Sequence, residues 1–420
     1  MTHANEDVSD SSQPPTKKMK LEATPATTVE SCLPSGDSLE DHEASNSTKR
    51  TRQGKKRGKT KKKEVDPSLF LERVKGPWKV GAHVSAAGGV ENAVTNAIAI
   101  GANAFALFLK SQRKWTSRQL SDNSVSEFKK NMKEFGYGNR MVLPHGSYLI
   151  NLGNPDDKKR EKSYDCFLDD LKRCEELDLE LYNFHPGSTV GQTTTESSFS
   201  LIAECINRAH EETRGVTVVL ENMAGGGNII GSEFSHLAGI IKLVRDKIRV
   251  GVCLHTCHAF AAGYDIRTQE GWDLTVKQFD EQIGLKYLCG MHLNDSKTQH
   301  NSKKDRHENI GLGYLGLASF RHILSDPRTQ NIPLILETPS FEQPAEVWGT
   351  EISVLQRLSG ADIPKEKCLE SLVSEIKDAK KAAELKKPKR KKRDAPKAPG
   401  RKGRSEVDNA DEHDCDDEHE

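Results

Sequence analysis

The chain has 420 residues, 35% hydrophobic and 30% charged, with 62 basic and 62 acidic residues that leave no formal net charge. That balance is an average over strong segregation: residues 49–63 hold ten basic residues and no acid, 386–404 hold eleven, and 406–420 hold nine acids. Blocks of like charge do not bury a core, and no run of 18 apolar residues exists to span a bilayer, so a membrane partner is not expected.

Large apolar residues concentrate between about 74 and 358. One core domain over 74–358 is expected, flanked by disordered arms at 1–73 (basic) and 359–420 (basic, then acidic). The N-terminus, MTHANEDVSD, is acidic and polar and reads as neither a secretory signal nor a transit peptide. PPTKKMKLE (14–22) and the basic blocks read as nuclear addresses or phosphate-contacting tails, which predicts a nuclear protein met by the import machinery. Nine cysteines without regular spacing read as reduced thiols, with Cys253 and Cys257 as small buried hydrophobes.

Within the core, eight short apolar runs recur at roughly one β/α unit. They are WKVGAHVS (78–85), AFALFLK (104–110), MVLPHGS (141–147), LYNFHPG (181–187), VTVVLEN (216–222), VGVCLHTCH (250–258), LCGMHLND (288–295) and PLILETP (333–339). Amphipathic stretches lie between them, among them 90–100, 163–179, 200–213, 234–247 and 317–326. Strands that are continuously apolar are buried on both faces, as in a parallel sheet covered by helices. Eight such units in this length favour an α/β fold, a single (β/α)8 TIM-type barrel, over an open sheet.

Each run carries a polar residue at or near its end. The carboxyl ends of barrel strands converge on one rim, so His145, His185, Glu221, His255, His258, His292 and Glu337 are expected in one cleft. That many imidazoles and carboxylates would be costly to bury without a cation, and a His-rich set with carboxylates suits Zn2+. Asp305 and His307, in the long loop after the seventh run, are a candidate added ligand pair. His83 ends the first run and is expected to support the ligands rather than join them.

The segments GAHVSAAGG (81–89), LPHGSYLINLG (143–153), NFHPGS (183–188), LENMAGG (220–226), TCHAFAAGYDIRT (256–268), GMHLNDSK (290–297), DRHENIGLG (305–313) and PLILETP (333–339) together resemble the endonuclease IV family of apurinic/apyrimidinic endonucleases. The resemblance implies a DNA repair enzyme, expected as a monomer. It would cut the phosphodiester 5′ of an abasic site in duplex DNA and remove 3′ blocking groups. It also implies three zinc ions, one held by His145, His185 and Glu221. A second would be held by Glu221, His292, Glu337 and the residue at 255, and a third by His258, Asp305 and His307. The family has L-D-T-C-H where this chain reads L-H-T-C-H, so His255 replaces a carboxylate. Arg113, Tyr148 and Leu149 match the side chains that wedge into the duplex. Two other readings remain open from the residues: a divalent-metal sugar isomerase or epimerase, and a non-catalytic DNA-binding relative weakened by His255.

Overall fold

The computed structural model describes residue 68, residues 70–359 and residues 366–386. The basic block at 49–63, the import-like segment at 14–22 and nearly all of 386–404 lie outside the described residues. In chain order the elements begin with β1 (Lys79–His83), α1 (Glu91–Ala99), β2 (Ala104–Ala106), α2 (Asp122–Glu134) and α3 (Asp157–Glu176). They continue with β3 (Leu181–Phe184), α4 (Thr195–Glu212), β4 (Thr217–Glu221), α5 (Phe234–Leu243), β5 (Val250–His255), α6 (Thr256–Ala262) and α7 (Gln269–Gln282). The last are β6 (Leu288–Leu293), the two-residue strands β7 (Asp295–Ser296) and β8 (His307–Glu308), α8 (Leu317–Leu324), β9 (Pro333–Leu336), α9 (Pro344–Leu358) and α10 (Glu366–Lys386).

Seven strands form a parallel sheet in the order β2-β1-β9-β6-β5-β4-β3. Its two edges are joined by the segment 142–145. Leu143 N and His145 N donate to Phe105 O and Leu107 O at 2.9 and 3.0 Å, while Asn183 N and Gly146 N bond Pro144 O and Asn183 O at 2.8 Å each. This segment is the eighth stave. It makes only isolated bridges because Pro144 has no N–H to give to the ladder. The sheet therefore closes into the expected barrel.

Seven of the eight staves send apolar side chains inward, β1 being the exception: Ala104, Ala106, Leu143, Leu181, Val219, Cys253, Cys289 and Ile335 form one cluster. This packed floor lies beneath the carboxyl-end rim, so polar residues one or two positions further along each strand share a single rim. Register sets neighbours there, with His255 opposite His292 and Glu221 opposite Cys253.

The helices depart from expectation at their ends. α3 starts at Asp157 rather than 163, where Asp156 caps it by accepting the Lys159 amide. Its first turns, DKKREK, carry no apolar stripe, so periodicity alone could not reveal them. α5 stops at Leu243, short of the expected 247. Within 359–420, expected as a disordered arm, residues 366–386 are helical instead, and 387–420 lie outside the described residues. α10 runs from Glu366 to Lys386 and buries Leu369, Leu372, Ile376 and Ala383. Those four recur at helical spacing, but charges crowd the sequence between them. No described helix is long and apolar enough to cross a membrane.

Candidate metal centre

The polar ends of the strands meet. Glu221, the last residue of β4, is 1% exposed, yet its carboxylate is surrounded by imidazoles. Its Oε2 lies 3.3 Å from His145 Nε2 and 3.7 Å from His185 Nε2. Its Oε1 lies 3.2 Å from His292 Nδ1 and 3.3 Å from His258 Nδ1. One carboxylate thus spans two sets of ring nitrogens. Asn183, buried beside it, donates from Nδ2 to Oε2 at 2.6 Å.

A second carboxylate, Glu337, lies just past β9. Its Oε2 is 3.2 Å from His292 Nδ1 and 3.3 Å from His255 Nε2, and its Oε1 is 3.4 Å from His83 Nδ1. Asp305 completes the cluster on the loop between β7 and β8. It reaches His258 Nε2 and His307 Nε2, both at 3.0 Å. Ligand atoms converge in the sets His145/His185/Glu221, Glu221/His255/His292/Glu337, His255/His258/His307 and Cys257/Asp305/His307. The Cys257 thiol meanwhile donates to Arg306 O at 3.6 Å.

Proton positions follow from the partners. His145, His258 and His307 each turn Nδ1 to a main-chain carbonyl: Gly146 O at 2.8 Å, Asn222 O at 2.8 Å and Glu337 O at 3.3 Å. A carbonyl only accepts, so Nδ1 carries a proton and Nε2 is the nitrogen turned to the cluster. In all three Nε2 faces a carboxylate oxygen. That nitrogen and oxygen can share one cation, either a second ring proton or a metal ion between them. The pattern, with the far ring N–H anchored on a carbonyl, is that of histidines that ligate metal. The donor set fits the metal cluster that the family resemblance implies.

With protons as the only cations, the electrostatics show the same pull. Burial lowers the His258 pKa, but Asp305 and Glu221 outweigh it and hold it well above the usual imidazole value. Burial raises Glu337, and His292 with His255 outweighs that and holds it well below the carboxylate range. Glu221 is held low in the same way, chiefly by His292 and His185.

All nine candidate ligands lie in this one cluster, and His83 sits beside it against Glu337 and the Phe108 ring. His255 carries a second duty: its Nδ1 accepts the His258 amide at 3.0 Å and so caps α6. Tyr148 is 50% exposed, its ring leaning on Phe108, His145 and His185 at 5.5, 5.5 and 5.7 Å. Leu149 is partly buried and Arg113 is exposed on the neighbouring loop. Ser147 Oγ donates to Gln112 O at 2.7 Å and ties these two loops together. A cleft of about 1250 Å³ runs along the rim here, lined by His83, Lys110, Tyr148, His307, Glu337 and Trp348 among others.

Sequence reasoning missed the amides. Asn183 and Asn294 are two residues from His185 and His292, so strand alternation puts each near its neighbour's face, and Asn222 follows Glu221. A buried polar residue at that offset in an apolar run was the available signal.

The family model described as a xylose isomerase-like TIM barrel matches residues 94–358. Apurinic-apyrimidinic endonuclease 1 of Plasmodium falciparum is 53% identical over 279 residues, which is 66% of this chain and 47% of that protein. Probable endonuclease 4 of Campylobacter curvus is 51% identical over 279 residues, covering 66% of this chain and 97% of its own. The crystal structure of endonuclease IV from Thermus thermophilus superposes with a TM-score of 0.56 at 30% identity, over 72% of this chain and 99% of that one. The matched part spans about half the length of the Plasmodium relatives.

Proposed function

The chain belongs to the endonuclease IV family, and we propose that it is a zinc-dependent repair endonuclease that hydrolyses the phosphodiester 5′ of abasic sites in duplex DNA. Removal of blocking groups from 3′ ends belongs to the same reading. The observation that carries it is the set of three imidazoles whose Nδ1–H groups are anchored on carbonyls and whose Nε2 atoms face carboxylates.

In this reading His145, His185 and Glu221 hold one zinc ion, and Glu221, His255, His292 and Glu337 hold a second. His258, Asp305 and His307 hold the third. Nitrogen-rich sets of this kind suit Zn2+ better than Mg2+. When bound, close divalent cations supply a hydroxide nucleophile at neutral pH and neutralise charge on the reacting phosphate.

The chain's own residues do the rest. Glu221 joins two ligand sets through its two oxygens, and Asn183 fixes the plane of that carboxylate. Tyr148, half exposed above His145 and His185, is placed to fill the gap of an extruded nucleotide, with Leu149 and Arg113 beside it. An abasic nucleotide lacks stacking and pairing and is the cheapest to extrude, which gives lesion preference. No side-chain nucleophile is required. The basic segments outside the described residues serve nuclear import and phosphate contact, and the enzyme acts as a monomer.

The test is incubation with a duplex carrying one abasic site, with and without chelator and without added Mg2+. Incision 5′ of the site that chelator abolishes supports the reading. Strict dependence on millimolar Mg2+ would sink the zinc assignment. Turnover of a keto-sugar with none of abasic DNA would favour the isomerase alternative, and fewer than two tightly held metals per chain would favour a binding protein.

A further inference from the structure

α10 lies beyond the residues matched to the family, which end at 358, yet it reaches the rim. Its apolar side, Leu369, Leu372, Ile376 and Ala383, is buried, and α9 is one of the elements it packs on. At the same time Lys380 Nζ lies 2.7 Å from Glu308 Oε1. Both side chains are mostly buried, at 21% and 14% exposure, so the pair is shielded from the screening that weakens surface pairs. Glu308 is the residue after His307 and pairs with Asp295 in the β7–β8 ribbon. Its Oε1 also accepts the Asn309 amide at 2.9 Å. Val373 of α10 stands against Gly311, where an added Cβ would come within 3.3 Å of its Cγ2.

The loop that α10 touches is the one carrying Asp305 and His307. Its other end is already fixed: Asp295 accepts the amides of Ser296, Gly313, Leu315 and Gly316 at 2.7–3.1 Å. α9 holds the middle, where Glu351 accepts from Ile310 N at 2.8 Å and Asn309 Nδ2 at 3.2 Å. Lys380 adds a contact to Glu308, the residue next to His307, whose own ring already meets Glu337 O and Asp305. A ligand on a long loop keeps its aim only if the loop has few alternative positions, and outer partners that orient ligands typically set 10- to 100-fold in metal affinity.

We propose that α10 is a clasp on the third metal position and that Lys380, through Glu308, is a positioning residue for His307 and Asp305. The proposal rests on the metal reading of the site given above. It places a determinant of metal retention outside the barrel, in a segment that adjoins the basic tail.

The experiment compares the full chain with Lys380→Met and Lys380→Arg. The readout is zinc per chain after graded chelation, together with the unfolding midpoint of the metal-free protein. The expected result is a parent that releases its metals in steps and a Lys380→Met form that releases one of them at roughly tenfold lower chelator strength. Lys380→Arg should restore the parent curve, and the metal-free midpoints should stay close together. Equal release of all metals by parent and Lys380→Met overturns the clasp while leaving the metal site standing. Loss of every metal together, or a large drop in the metal-free midpoint without rescue by Lys380→Arg, shows a merely structural role and also overturns it. A parent that binds no third metal defeats the metal reading, and the clasp with it.

Discussion

Asn294 Nδ2 lies 2.9 Å from Nε2 of His255, while the opposite ring nitrogen of that histidine receives the His258 amide at 3.0 Å. The orientation of the Asn294 amide is fixed, because its Oδ1 accepts the Glu337 N–H at 2.9 Å. Two donors therefore face the two nitrogens of one imidazole. A neutral imidazole offers one lone pair, so one contact always sets a donor against a donor. The surroundings are those of a carboxylate, which accepts on both sides.

The first prediction follows. Replacing His255 with Asp should satisfy both donors and return a negative charge to the Glu337/His292 set. A buried unsatisfied donor costs about 1–3 kcal/mol. The metal-free Asp variant should therefore melt a few degrees above the parent, roughly 1–2 °C for each kcal/mol in a domain of this size. It should also retain zinc longer against chelator and still incise. Differential scanning calorimetry in chelator reads the first effect, and metal analysis the second. Faster metal loss from the Asp form would show that His255 is the better ligand here.

Glu351 gives the pH prediction. Burial drives its pKa up to about 7, against the lowering effect of hydrogen bonds from Thr338, Ile310 and Asn309. Its folded pKa thus lies above the unfolded value near 4.5. The stability it contributes is fully present below pH 4.5 and is lost as pH rises from there through about 7, an effect of order 3 kcal/mol. Glu351→Gln should flatten the unfolding free energy of the metal-free protein over that window. Urea titrations at pH 4.5 and 7.5 measure it, and an unchanged slope would mean that the carboxyl ionises freely.

Asn183 anchors the carboxylate shared by two ligand sets. Asn183→Leu keeps the volume and removes the donor 2.6 Å from Glu221 Oε2. Zinc affinity should fall by roughly 10- to 100-fold with the fold intact. Competition with a chromogenic chelator gives the number, and circular dichroism checks the fold.

Tyr148→Ala and Arg113→Ala should weaken incision at abasic sites and leave bound metal unchanged. Aromatic stacking on a base contributes about 1–3 kcal/mol. The expected loss for Tyr148→Ala in kcat/KM is therefore of order ten- to hundredfold. The Tyr148 ring also packs on His145 and His185, so metal content is the control that matters. Zinc missing from either variant would make the residue structural and end the wedge reading.

The arms are tested by removal of residues before 64 and after 386, a boundary that keeps α10 whole. Phosphate contacts release counterions, so trimming should reduce the salt dependence of DNA binding and leave lesion preference in place. An identical slope for both forms would show that the basic blocks do not touch DNA.

The sequence by itself determined the barrel and which strand-end residues share its rim. Period and strand-end position suffice for that: apolar runs at β/α spacing close a parallel sheet, and closure brings His145, Glu221 and Glu337 to one rim regardless of their separation. It did not determine what lies beside each ligand. That Asn294 opposes His255, that Asn183 fixes Glu221, and that Lys380 reaches the residue after His307 depend on side chains from different strands and helices meeting at 2.6–2.9 Å. Pattern along the chain records which face a residue occupies, not which partner stands opposite. α10 was decided the same way, because its four buried residues acquire a core only when α9 is present to receive them. The eighth stave, with Pro144 in it, is a strand only because Phe105 and Asn183 supply its hydrogen bonds from either side.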